Sequence, residues 1–141
     1  MPKRNVETAA DPKQVVRRFV EEVQDAHRHD LIDQLVAANF VNHLSQVGSV
    51  DRTTLKDGHS RWLAAFPDQR WTIHHMVSED DLVATYKTCE GTHLGEWMGL
   101  TPTGKRMVLD IFDLMRVRDG QIVEHWGTAD MSHLHRQLGS S

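Results

Sequence analysis

A strand-length run from Arg106 to Val117 turns at Arg118-Asp119-Gly120 into Gln121-Ile122-Val123-Glu124-His125-Trp126, and this hairpin constrains the chain more than any other feature. Alternating apolar positions on either side of an Asp-Gly signal specify two paired strands, so the last third of the chain must belong to a β-sheet. Carboxylates sit within both strands: Asp110, Asp113 and Glu124. An unpaired ionised carboxylate in an apolar interior is costly. Each must therefore face water, find a partner, or line a site that uses a perturbed acid.

The turn decides which of these groups meet. A Val-Arg-Asp-Gly-Gln segment suits a type I turn followed by a left-handed glycine, a three-residue hairpin with a bulge at Gly120. Leu114 then opposes Glu124, Phe112 opposes Trp126, and Val108, Asp110, Phe112, Leu114, Ile122, Glu124 and Trp126 share one face by two-residue alternation. In this register Asp110 and Glu124 are neighbours on an aromatic wall. A two-residue turn at Asp119-Gly120 is the alternative; it needs a positive φ at Asp119 as well as at Gly120, and it places Glu124 with Met115 and Asp113, and His125 with Asp110.

Upstream, the signals are helical. Asp11 caps a helix with Pro12 at its first position, and Val15, Val16, Phe19, Val20 and Val23 repeat at helical spacing to about His27. Asp30 caps a short helix carrying Leu31, Leu35 and Val36; a loop from Val41 to Arg52 leads to a third helix from Thr53, with Leu55, His59, Trp62, Leu63 and Phe66 on one stripe, ended by Pro67-Asp68. Strands follow over Trp71 to Val77, Leu82 to Gly91 continuing toward Trp97, Lys105 to Val117 and Ile122 to Trp126, with a short closing helix over Met131 to Leu138. Residues 1–10 read as a mobile arm and 11–141 as one domain. Three helices followed by a twisted antiparallel sheet define an α+β plan, in which the sheet curls into a cone over the helices and leaves a pocket between them.

The formal net charge is −4 and the basic residues are scattered, which excludes nucleic acid and anionic membranes as expected partners. Cys89 is the sole cysteine, so neither an intrachain disulfide nor a thiolate metal site can form. His74-His75 and His133-Leu134-His135 do not converge three ligands by local spacing, and no metal is expected. The polar start of the chain lacks the apolar stretch of a signal peptide, so a cytoplasmic location is expected.

Asn39-Phe40-Val41-Asn42-His43, Phe66-Pro67-Asp68, Gly91-Thr92-His93-Leu94-Gly95, Pro102-Thr103-Gly104-Lys105, Arg116-Val117-Arg118-Asp119-Gly120 and Glu124-His125-Trp126 with Asp130 together resemble the SnoaL-like polyketide cyclases and their ester-cyclase relatives. The resemblance runs from about Val15 to Gly139. It implies the cone-shaped α+β barrel of the nuclear-transport-factor-2-like superfamily and a cofactor-free intramolecular aldol condensation closing a ring of an aromatic polyketide. It further implies a single acid/base carboxylate, at the place of Glu124, supported by a histidine, at the place of Asp110. Here glutamate stands for aspartate and aspartate for histidine.

Proton abstraction next to a carbonyl needs a desolvated base and donors where the enolate oxygen gains charge. Asp110 and Glu124 are the expected carboxylate pair, with His43 or His93 to polarise the carbonyl. Asn42, Trp62, Tyr86, Trp97, Phe112 and Trp126 are the expected walls for a small hydrophobic, polycyclic substrate. Each has a structural alternative. Asp110 and Glu124 can be cross-strand groups on a solvated or dimer-facing side; His43 can tie down its loop; His93 can hold a bulged strand; His125 faces away from Glu124 if the strand is regular; Asp130 can cap the last helix. The same pocket could also hold an apolar ligand without chemistry. Met107, Leu109, Ile111, Met115 and Val123 would project from the other sheet face, an apolar surface expected to be buried in a homodimer.

Overall fold

Asp11 accepts a hydrogen bond from Lys13 N at 3.1 Å and Pro12 takes the first helical position, starting α1 (Pro12–Arg18) as the capping signal predicts. The computed structural model of the protein describes residues 11–44 and 48–139; the N-terminal arm expected over residues 1–10 lies outside the described residues. The first helix continues as a π-helical segment (Phe19–Asp25) that buries Phe19, Val20, Val23 and Gln24. Asp25 ties its end to the sheet through Arg70 and the backbone N–H of Trp71 at 2.8 Å. A 3₁₀ turn (His29–Leu31) precedes α2 (Ile32–Leu35). Asp30 does not cap it; its carboxylate pairs with Arg28 instead.

From Val36 the chain is extended. Strand β1 (Val36–Leu44) occupies residues that the sequence reading divided between a helix and a loop, and β2 (Gly48–Val50) follows. A register shift between Val36 and Val41 interrupts the alternation of β1 and hides it as a strand signal. Asp51 then caps α3 (Arg52–Ala65) through Thr54 N at 2.9 Å. Strands β3 (Arg70–Glu79), β4 (Leu82–Thr92), β5 (Arg106–Arg118) and β6 (Gln121–Ala129) follow, and Asp130 caps the closing helix α4 (Met131–Gln137) through His133 N at 3.0 Å.

The six strands form one curled sheet in the order β2-β1-β6-β5-β4-β3. All neighbours are antiparallel except β1 and β6, which run parallel, so the sheet is mixed rather than wholly antiparallel. The helices lie on one face. Along β5 the odd positions turn toward them, with Met107, Leu109, Met115 and Val117 buried. Two apolar clusters fill that layer: Val15, Val16, Phe19, Val20 and Val23 pack on Val83, Met115, Val117 and Ile122, while Ala65, Phe66, Leu134 and Leu138 pack on Cys89, Met107 and Leu109. Met107, Leu109, Ile111 and Met115 are therefore core residues of the protomer, not the dimer face expected for them. The odd stripe of β5 interrupts its aliphatic residues with Asp113 alone, and the more apolar stripe is the one that the helices cover.

The hairpin takes the two-residue turn. Arg118 pairs with Gln121, and Asp119 (φ 52°) and Gly120 (φ 76°) both lie in the left-handed region. Aspartate tolerates that conformation, which makes Asp-Gly a favoured pair for such a turn. A bulge does form, but at Val123: Val117 pairs with Ile122 and Arg116 with Glu124. The extra residue reverses the parity of β6, turning Glu124 and Trp126 away from the helices and His125 and Gly127 toward them.

Candidate functional site

The bulge at Val123 brings His125 onto the helix-facing side of β6 opposite Met115, one position from the Asp113–Gly127 pair. His125 Nε2 donates to Asp113 Oδ1 at 2.6 Å. The other oxygen, Oδ2, lies 2.5 Å from Lys87 Nζ, which projects inward from β4. Lys87 donates in turn to Gln24 Oε1 at 3.0 Å and sits 5.2 Å from the centre of the Trp71 ring. Gln24 Nε2 donates to His59 Nε2 at 3.1 Å, and His59 Nδ1 donates to the Leu55 carbonyl at 3.0 Å, fixing the neutral tautomer of that ring. On the far side, His125 Nδ1 lies 2.7 Å from Asn42 Oδ1, on β1. A continuous polar chain, Asn42–His125–Asp113–Lys87–Gln24–His59, thus crosses the interior.

Electrostatics divides the roles along this chain. Burial alone would raise the Asp113 pKa; the Lys87 charge and the His125 hydrogen bond outweigh it and hold the carboxyl well below the usual range. Asp113 is therefore an ionised acceptor at neutral pH. His59 is pulled down to about 4, chiefly by desolvation, and stays neutral. Solvent reaches the pair from one end only: the His125 side chain is 15% exposed and that of Asp113 3%. Gly127 completes the arrangement by presenting no side chain where the two groups meet.

The residues expected from the sequence are distributed over three places. Asp110, Phe112 and Leu114 share a face with Glu124 and Trp126, as expected, but it is the helix-free face, and Ile122 is not on it. The shift in register also separates the two carboxylates. Glu124 pairs with Arg116, whereas Asp110 lies toward the other end of β5 and accepts from Thr88 Oγ1 at 3.0 Å. Glu124 accepts from His43 Nε2 at 3.0 Å and from Arg116 Nε at 2.8 Å, and these bonds lower its pKa, the His43 contribution being the larger. Asp81 binds the same guanidinium at 2.7 Å. His43 stacks on Trp126 (centroids 4.8 Å apart) and Tyr86 on Phe112 (4.7 Å). Phe112, Leu114, Trp126 and Thr128 outline a shallow depression of about 360 Å³ on this face, and His75, Val77, Ala84 and Tyr86 another of about 260 Å³.

Trp62, Trp97 and His93 gather at the far end of the interior around Phe66. There the backbone N–H of Thr103 donates to His93 Nδ1 at 3.2 Å, and Gly104 N bonds the His93 carbonyl, so His93 closes the base of the connection between β4 and β5. Cys89 is buried beside Trp62 and its thiol is pushed up to about 12, mainly by desolvation. Of the expected residues only Asn42 touches the polar chain. Asp113 is one of the strand carboxylates singled out in the sequence but not a member of the expected pair, and Lys87, Gln24, His59 and His125 are not among the expected site residues. A signal existed for two of them: Lys87 and Asp113 are the charged residues of the inward stripes of β4 and β5, in diagonal positions on adjacent strands.

The sequence model of the SnoaL-like polyketide cyclase family matches residues 14–138, and the chain belongs to that family. Among solved structures it is similar to IdmH, a proposed polyketide cyclase from Streptomyces antibioticus, with 31% identity and a TM-score of 0.81 over 91% of this chain and 98% of that one. It is also similar to AclR, a proposed hydroxylase from Streptomyces galilaeus, with 28% identity and a TM-score of 0.85 over 94% and 83% of the two chains. A SnoaL-like protein from Jannaschia, 17% identical with a TM-score of 0.84 over 92% of each chain, shares the fold. No curated protein sequence matches. Among the described residues no helix is long and apolar enough to cross a membrane.

Proposed function

We propose that the protein is a cofactor-independent acid/base enzyme acting on a polyketide-like cyclic carbonyl compound, with His125 as its proton-transfer group. The observation that carries this reading is a deeply buried, ionised Asp113 bonded at 2.6 Å to an imidazole that solvent still reaches. Such a carboxylate orients the ring and stabilises its protonated form, while Nδ1, the nitrogen turned away from Asp113, takes or gives the proton when a substrate displaces the Asn42 carbonyl from it. Lys87 keeps Asp113 ionised, and Gln24 and His59 hold Lys87. Asn42 shares the Nδ1 edge. Its carbonyl accepts from the protonated ring, and its amide nitrogen, two bonds away, is a donor for an oxygen that gains charge.

The family points to ring closure by aldol addition, and these groups suffice for it. His125 removes a proton from the carbon beside one carbonyl, leaving an enolate whose oxygen Asn42 can bond. The enolate carbon attacks a second carbonyl of the same molecule, and His125 returns the proton to the new alkoxide. A carbon–carbon bond and a hydroxyl replace a C–H and a C=O. The name of AclR attaches a hydroxylation to the same fold, so the fold alone does not select the reaction. The test is exchange of the α-protons of 1-tetralone, a bicyclic aryl ketone, in D₂O followed by NMR. Wild-type protein should accelerate it and His125→Asn should not. Equal rates with and without wild-type protein would leave a binding role for the same interior.

The helix-free face supports a second proposal, pairing of two copies of the chain through it. Val77 is 64% and Phe112 48% exposed, beside Tyr86, Leu114 and Trp126. A two-fold contact sets each group near its own copy. Arg116 on this face is already paired with Asp81 and Glu124, which limits the like-charge repulsion this cluster brings to such a contact. Light scattering should show a dimer at micromolar concentration and a monomer for Phe112→Glu; a monomeric wild type would contradict the pairing.

A further inference from the structure

Gly127 is not a glycine for backbone reasons. It lies within β6, paired with Asp113, and is absent from the positions of positive φ, so an alanine fits its conformation. What it lacks is space for a side chain. A methyl group there would stand 2.6 Å from Asp113 Oδ1, 2.8 Å from His125 Nε2 and 2.9 Å from His125 Cε1. Both ends of the hydrogen bond between the two groups crowd the place that a β-carbon would take.

We infer that Gly127 is a positioning residue that sets the separation and coupling of Asp113 and His125, an inference that rests on reading this pair as the reactive one. The nearest atoms are the tips of side chains, and such tips normally yield at little cost. Here both are held from behind, Asp113 by Lys87 and His125 by Asn42 at 2.7 Å. Any yielding is therefore taken up by the bond between them. A β-carbon at 127 drives the carboxylate and the imidazole apart while leaving the strand, its register and the apolar clusters in place. The coupling of the pair depends on an absent side chain, and the identity of residue 127 is set by the reactive pair rather than by the turn or the sheet.

The test is a cycle of Gly127→Ala and His125→Asn, read by urea midpoint and by NMR of the ring protons of histidine. A proton shared in so short a bond resonates far downfield. Wild type should show this signal, Asp113→Asn and Gly127→Ala should lose it, and the alanine should lower the urea midpoint. In the His125→Asn background the two ring contacts are gone and only Asp113 Oδ1 remains close, with the space left by the ring to move into. Gly127→Ala should therefore lower the midpoint clearly less than it does in wild type, and the double variant should fold even if Gly127→Ala alone does not. In the 1-tetralone assay Gly127→Ala should lose at least tenfold in rate. A retained downfield signal in Gly127→Ala, or equal midpoint losses in both backgrounds, would overturn the inference. If the cycle behaves as expected and wild type shows no exchange, the functional reading fails alone.

Discussion

The two faces of the β5–β6 hairpin hold the same kinds of groups, each a carboxylate with a histidine and a cation, under opposite conditions. Inside, Asp113 meets Lys87 and His125 with its own side chain almost wholly removed from water. Outside, Glu124 meets Arg116 and His43 with about a third of its side chain exposed (32%). Both carboxylates are held ionised, but the inner one is so held against a large desolvation penalty and the outer one is not. Ion pairs at a wet surface exchange one good solvent for another, while a buried pair binds its members to each other. The inner face can therefore orient an imidazole firmly. The outer one offers an aromatic surface beside an internally paired Arg116.

Removing the cation from each face should expose that contrast most strongly. Lys87→Met strands a buried carboxylate and should cost about 3–5 kcal/mol by urea denaturation, whereas Arg116→Met, between two partly exposed acids, should cost about 1 kcal/mol or less. Equal losses would show that the two environments do not differ as described.

Acid should separate the faces next. The folded pKa of Asp113 lies below its unfolded value near 4, so its contribution is fully present above that value and is lost as pH falls through the folded value. His59, lowered to about 4, contributes stability that is present above its unfolded value of 6.5 and disappears as pH falls through about 4. Wild type should therefore lose urea resistance between about pH 6.5 and 4, and His59→Phe should flatten that window. Unchanged slopes in the variant would place the loss elsewhere.

Much of the fold could be read from the residues. Asp11-Pro12, Asp130 and the apolar spacing from Val15 to Val23 locate their helices, and the hairpin lies where Asp119-Gly120 puts it. Two local features defeated the rest. Bulges have no strong residue signature, so the shift within β1 concealed a strand, and the one at Val123 reversed which of Glu124 and His125 faces inward. One extra residue thus exchanged Glu124 and His125 between the two faces. The face itself was open to reasoning, because the stripe Met107, Leu109, Ile111, Met115 and Val117 is the one a helical layer must cover. The partnership of Lys87 with Gln24 and His59 was not, since it joins three elements whose packing only the folded chain reveals.

The central claim is that proton transfer belongs to the inner face, and the most direct test is the α-proton exchange of 1-tetralone measured side by side for His125→Asn and Glu124→Gln. Both substitutions keep approximate shape and remove one titrating group. The account predicts a loss of about a hundredfold or more for His125→Asn and a change of less than about threefold for Glu124→Gln, whose carboxylate is engaged by Arg116 and His43. The reverse order, with Glu124→Gln abolishing exchange and His125→Asn sparing it, would move the chemistry to the outer face and contradict the account.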